Sequence, residues 1–243
     1  MSRRRFREHL PMTPQPEPHF RWRSREVLRL EGFADAVFAF AVTLLIVALE
    51  VPHTFDGLVD ALRGFPSFVV CFTMLMIFWN AHYRYFRRYG LEDRLTRFLT
   101  VCVLLLVLFS VYPLKFLFGA LLSFGSSHAP HIETWPQLKF VYTVYGLGFI
   151  GIWSIYLLLY AHAYRLRHAL RLTEGEVLQT REQIWSFAIN IAVCALSIGL
   201  ARADVSAGLP GYIYLLLGPT LWLNGQWHGN KVRALAAQRP AAP

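Results

Sequence analysis

The sequence predicts an all-α membrane protein: six transmembrane helices in one bundle, with the N and C termini cytoplasmic. Three observations carry that prediction. Of 243 residues, 55% are apolar and only 16% charged, where soluble domains carry roughly 25% charged residues. Six apolar segments, at about 33–50, 66–86, 97–122, 140–164, 183–203 and 207–224, approach the roughly 20 residues that a helix needs to cross a bilayer. The basic residues, finally, fall on alternate connections.

That alternation sets the orientation. Arg3, Arg4, Arg5, Arg7, Arg21, Arg23, Arg25 and Arg29 precede the first segment, and Arg84, Arg87, Arg88, Arg94 and Arg97 lie between the second and third. Arg165, Arg167, Arg171 and Arg181 join the fourth to the fifth, and Lys231, Arg233 and Arg239 lie in the tail. The other faces hold only Arg63, Lys115, Lys139 and Arg202. Cytoplasmic loops are enriched in Lys and Arg, so both ends are expected in the cytoplasm of an inner-membrane protein, and an even number of spans follows. The same placement accounts for the formal charge of +9 through contact with anionic lipid headgroups rather than nucleic acid, which is not expected as a partner.

Residues 1–28 combine arginines with Pro11, Pro14, Pro16 and Pro18 and read as a disordered cytoplasmic arm, too polar to bury a core. Residues 29–229 form the transmembrane domain, and 230–243 a flexible tail. The first apolar run is longer than the 7–15 residues of a signal h-region and is expected to be retained. Between the first two spans, Phe55, Leu58, Val59 and Leu62 recur at helical spacing with Asp56, Asp60 and Arg63 on other faces, as in a short interfacial helix. Cys71, Cys102 and Cys194 are widely spaced inside spans and define neither a disulfide framework nor a zinc site.

The first helix concentrates the chemistry. Arg29, Glu31 and Asp35 lead directly into an apolar run, and an ionised group in a span costs about 2.5–3.5 kcal/mol at its centre on insertion scales. Phe33, Val37, Phe40, Leu44 and Val47 recur at spacings of four and three and form one stripe, with Thr43 at its edge. Glu31 and Asp35, one turn apart, repel each other and call for a positive or hydrogen-bonding partner; Arg29, His82 and the arginines at 84–88 are the candidates. The second span ends in Trp79, Asn80, His82 and Tyr83, which can build a polar knot with the first. From the residues alone, helix packing is the favoured explanation of both the knot and the stripe.

Other patterns lead nowhere. Residues 146–151, GLGFIG, match a dinucleotide fingerprint formally but lie inside an apolar span with no βαβ unit; close helix packing explains them better. His128, His131 and Glu133 fall in a polar loop expected to be solvated. The sequence holds no catalytic constellation, and neither an enzyme, a cofactor nor a metal is expected.

The R-x-x-x-F-A-D pattern at Arg29, Phe33 and Asp35, the VFAFAVTLL that follows, and FW-x-x-H from Phe78 through Trp79 to His82 resemble the prokaryotic members of the transmembrane protein 175 family of potassium channels. The family's hallmark has serine where this chain has Ala34. The resemblance implies a homotetramer of six-helix subunits, with the first helix lining a central pore and no re-entrant filter loop; no TVGYG-like segment occurs here. It carries the constriction to Phe40, Leu44 and Val47 and a role in selectivity to Thr43, with Arg29, Phe33, Asp35, Trp79 and His82 as the motif and its polar network. The family usually has isoleucine or leucine where this chain has Phe40, and a proton leak is within the implied range. Potassium ions are the implied permeant species. The alternative reading is a small secondary transporter or accessory membrane protein without a continuous pore.

Overall fold

A computed structural model describes residues 20–24, 26–47, 53–122, 132–205 and 208–237. Among them the chain is helical throughout: α1 (Arg29–Val47), α2 (Phe55–Arg63), α3 (Phe65–Tyr89), α4 (Arg94–Leu122), α5 (Trp135–Arg165), α6 (Glu174–Arg202), α7 (Leu209–Tyr212) and α8 (Leu217–Ala237), with a 3-10 turn at Ile213–Leu216. Most of His128 to Glu133 and most of the N-terminal arm lie outside the described residues.

The helices outrun the apolar segments that mark them, and capping explains where they start. α6 begins at Glu174, well before the apolar run at 183, because Thr173 and Glu176 form a reciprocal cap: Glu176 N–H donates to Thr173 Oγ1 at 3.3 Å, and Thr173 N–H to Glu176 Oε2 at 2.8 Å. α5 likewise starts at Trp135, where Gln137 Oε1 accepts from the backbone of Thr134 at 3.2 Å. α3 stops at Gly90, whose φ of 60° is the left-handed conformation that favours glycine; its N–H returns to Phe86 O at 2.9 Å.

Among the described residues five helices, α1, α3, α4, α5 and α6, are long and apolar enough to cross a membrane. The sixth expected span, 207–224, differs. It is helical but interrupted by the 3-10 turn, and α8 continues through Asn224, Gln226, His228 and Lys231 to Ala237. Pro219 supplies the cause: proline has no N–H for the carbonyl four residues earlier and its ring crowds that carbonyl, which is Leu215, inside the turn.

α1 packs on α3 and α4, while α5 and α6 form the most extensive helix pair. Gly146 permits that pair: a Cβ there would lie 2.7 Å from Ile198. Gly151 faces Leu106 at 3.0 Å, whereas Gly148 meets nothing, so only two glycines of GLGFIG serve close packing. At one end of the bundle the core is aromatic, with Phe38, Phe78, Phe86, Tyr85, Tyr89, Tyr156 and Tyr160 all buried. The hydroxyls of Tyr85, Tyr89 and Tyr156 find hydrogen-bond partners there, as most buried polar groups do. Tyr89 and Thr180 share a bond of 2.8 Å, and Tyr156 donates to Phe78 O at 2.7 Å.

The basic arm expected to be disordered over 1–28 is instead packed at its described end. Phe20 is buried against Tyr89, ring edge to face at 5.7 Å. The backbone N–H groups of Arg23 and Ser24 donate to Arg87 O at 3.1 and 3.4 Å. The buried apolar ring and shared backbone bonds offset the ordering entropy that composition alone suggested would win. α2 forms as the spacing predicts, capped by Thr54, which accepts from Gly57 N–H at 3.0 Å. Its apolar side chains stay uncovered, with Phe55, Leu58 and Leu62 all exposed.

Candidate functional site

α1 presents two unlike faces. Ala34, Phe38, Ala41 and Leu45 are buried against the bundle, at the i, i+4, i+7, i+11 rhythm of one helix face. Phe33, Phe40 and Val47 are 58%, 56% and 73% exposed, and Arg29 and Thr43 lie on the same uncovered side. Leu44 and Val37 are half-buried and pack on the core, so they form the edge of the stripe rather than its crest. The Thr43 hydroxyl donates to Ala39 O at 3.0 Å, inside its own helix.

On α3 a ladder of Trp79, Tyr83 and Arg87, one turn apart, faces the two acids of α1. Trp79 Nε1–H donates to Asp35 Oδ1 at 2.8 Å. Trp79 stacks on Tyr83 with ring centroids 5.4 Å apart, and the Arg87 guanidinium lies 5.3 Å from the Tyr83 ring. Arg87 Nε then meets Glu31 Oε1 at 3.2 Å, with the Glu31 side chain 1% exposed; the other Glu31 oxygen accepts from Leu28 N–H at 3.3 Å. The antiparallel course of α1 and α3 makes this possible: acids four residues apart meet partners eight residues apart in reverse order.

Of the expected network, Asp35 and Trp79 meet directly, whereas neither Arg29 nor His82 bonds to Asp35. Asp35 is held by Trp79, and Arg29 lies on the uncovered face. His82 is fully buried among aromatic rings, with Phe86 at 4.8 Å and Phe38 at 6.0 Å, and neither ring nitrogen has a hydrogen-bond partner among the described residues. Asn190, the polar mid-span residue of the fifth apolar segment, donates to Ser186 O of its own helix at 2.8 Å.

Two polar pairs escaped the sequence. Arg23 reaches the buried Glu176: Nη2 to Oε2 is 2.8 Å and Nη1 to Oε1 is 3.1 Å, while Arg23 Nε donates to Leu170 O at 3.0 Å. Nothing local to Glu176 marks a residue 153 positions earlier as its partner. His162 pairs with Asp93 at 3.0 Å. Partial burial raises the Asp93 carboxyl, but hydrogen bonds from Thr96 and His162, with the His162 charge, outweigh it and hold it below the ordinary carboxylate value.

A depressed folded value stabilises the protein above the unfolded carboxylate pKa of about 3.9, and that stability is lost as pH falls through the folded value. Asp93→Asn is therefore expected to lower the thermal unfolding temperature at pH 7, with the gap from wild type closing below about pH 4. An equal gap at pH 7 and pH 3 would contradict this account.

Long apolar helices packed in one body, with most of the arginines at one end and an uncovered apolar face on the first helix, define a multi-pass helical membrane protein. The family described as "Endosomal/lysosomal potassium channel TMEM175" matches residues 29–113, from the start of α1 into α4. A potassium channel of Marivirga tractuosa is 32% identical over 232 residues, covering 90% of this chain and 94% of that protein. A potassium channel of Streptomyces collinus is 29% identical over 197 residues, covering 78% and 89%. The crystal structure of the potassium channel MtTMEM175, a variant in complex with a nanobody–MBP fusion, superposes with a TM-score of 0.75 at 31% identity, over 88% of this chain and 98% of that one. The chain belongs to the TMEM175 family.

Proposed function

We propose that this chain is a potassium channel of the cell inner membrane, an ion-conducting protein and not an enzyme. Four copies enclose a pore lined by the outward face of α1, which narrows at Phe40, Leu44 and Val47 with Thr43 beside the constriction. The observation that carries this reading is the uncovered stripe on α1: Phe33, Phe40 and Val47 stand more than half exposed while the opposite face of the same helix is buried. One subunit supplies one such helix, so several are needed to surround a path, and closed rotational symmetry provides them. Apolar rings of this kind gate by dewetting.

In this reading the segment 207–224, although interrupted, serves as the sixth span and leaves both termini in the cytoplasm. The ladder on α3 fixes the rotation of α1 and hence which side chains face the axis. The named relatives and the matched structure are potassium channels, which supports potassium as the permeant ion. A secondary transporter finds no comparable support.

Flux from liposomes tests the reading. Reconstituted protein is expected to release potassium faster than sodium from vesicles loaded with either ion. Folded, oligomeric protein that releases neither would remove the assigned function and leave only the family fold.

A further inference from the structure

We infer that the cleft between the end of α5 and the start of α6 binds the phosphate of an anionic phospholipid. The cleft measures about 480 Å³ and lies between the last turn of α5 and the first two turns of α6. Its rim is basic: Arg167 and His168 come from the connection and Arg181 from α6. Its floor is apolar, formed by Leu172, Val177 and Leu178.

The two arginines are held together without an anion. Their guanidinium carbons lie 4.8 and 5.2 Å from the centroid of the Tyr164 ring, and Arg181 Nε donates to the Tyr164 hydroxyl at 3.1 Å. Among the described residues neither guanidinium has an ion-pair partner, and His168 makes no side-chain bond. Glu174 is the one carboxylate at the cleft, and it is exposed to solvent. Like charges repel, so two guanidinium groups fixed on one ring gain from a shared anion. Planar guanidinium forks match phosphate oxygens two at a time.

Position and floor select a lipid over a free ion. α5 and α6 both have the length and apolarity of membrane spans, and the cleft lies at their shared end. Trp185, one turn further into α6 on the Arg181 face, is 58% exposed, as tryptophans at the headgroup level are. A free phosphate would use the rim and leave the floor idle, whereas a phospholipid places its phosphate at the rim and its glycerol and upper chains over Leu172, Val177 and Leu178. Basic pockets between membrane helices take anionic headgroups in this way. Nothing here depends on conduction, so the site and the channel reading can fail separately.

The test is a titration of delipidated full-length protein in neutral detergent with phosphatidylglycerol, phosphatidylcholine or inorganic phosphate. It is followed by thermal unfolding and by native mass spectrometry of retained lipid. Phosphatidylglycerol is expected to raise the unfolding temperature and remain bound. Arg181→Gln should weaken its binding about 5-fold and Arg167→Gln with Arg181→Gln roughly 30-fold, while Arg94→Gln with Arg97→Gln at another basic turn leaves it unchanged. The single variant keeps the test open should the double variant fold poorly. Wild-type affinity in a folded Arg181→Gln protein overturns the site. Equal stabilisation by phosphatidylcholine overturns the charge recognition, and equal stabilisation by inorganic phosphate overturns the lipid.

Discussion

Phe40→Ala is expected to raise potassium flux from liposomes severalfold while leaving the fold of the subunit intact, and Phe38→Ala is expected to do the reverse. Phe40 is 56% exposed and Phe38 2% exposed on the same helix, two positions apart. Truncating Phe40 removes a side chain that the subunit's own core does not use, so a change in flux reads the pathway and not the packing. Truncating Phe38 opens a cavity between α1 and α3, where its ring lies 6.0 Å from that of His82. Large-to-small substitutions of buried aromatics cost about 3–5 kcal/mol in water. The low end, about 3 kcal/mol, applies here because lipid, unlike water, does not penalise the exposed ring. Flux and thermal unfolding in detergent, measured on both variants, separate the two effects. Wild-type flux from Phe40→Ala in a folded oligomer would overturn the proposed constriction at Phe40.

The second large effect is structural. Arg23→Ala is expected to lower stability by about 3 kcal/mol, the scale of breaking a buried ion pair by removing one partner. The Glu176 side chain is 3% exposed and that of Arg23 11% exposed, so Glu176 would lose its counter-charge where water cannot replace it. Backbone donors from Arg21 and Thr173, at 2.9 and 2.8 Å, keep the penalty from rising further. Adding Glu176→Gln to Arg23→Ala should recover part of the loss, because a neutral amide needs no counter-charge. Thermal unfolding of the two single variants and the double closes the cycle. A double variant as unstable as the sum of the singles would show that the pair is not coupled.

Sequence made the five long helices legible because length and apolarity suffice to mark a span, and it made the stripe on α1 legible because helical periodicity is local. The early start of α6 was not legible, since a polar first turn looks like loop when only hydropathy is followed. The break in the last segment could have been suspected from Pro219, but an apolar run conceals it. Partners across the fold were harder. Glu31 could be seen to need a positive charge and the arginines at 84–88 could be named, but selecting Arg87 requires the antiparallel register of α1 against α3. Nothing in the sequence joins Asp93 to His162, or Arg23 to Glu176, because each pair is created only when separate helix ends converge. The burial of His82 in an aromatic cage was likewise invisible: an Asn-x-His pattern at a helix end reads as polar, and only the ring contacts with Phe38 and Phe86 show otherwise.

The bond between Arg23 and Glu176 also sets an order of events during synthesis. The segment that leads into α1 leaves the ribosome first, but the carboxylate that holds it lies 153 residues later in the chain, at the start of α6. Until α6 is made, α1 can pack on α3, and Arg23 and Ser24 can bond to Arg87, but the Arg23 guanidinium has no buried counter-charge. The segment that leads into α1 is therefore made before α6 but fully fastened only after it.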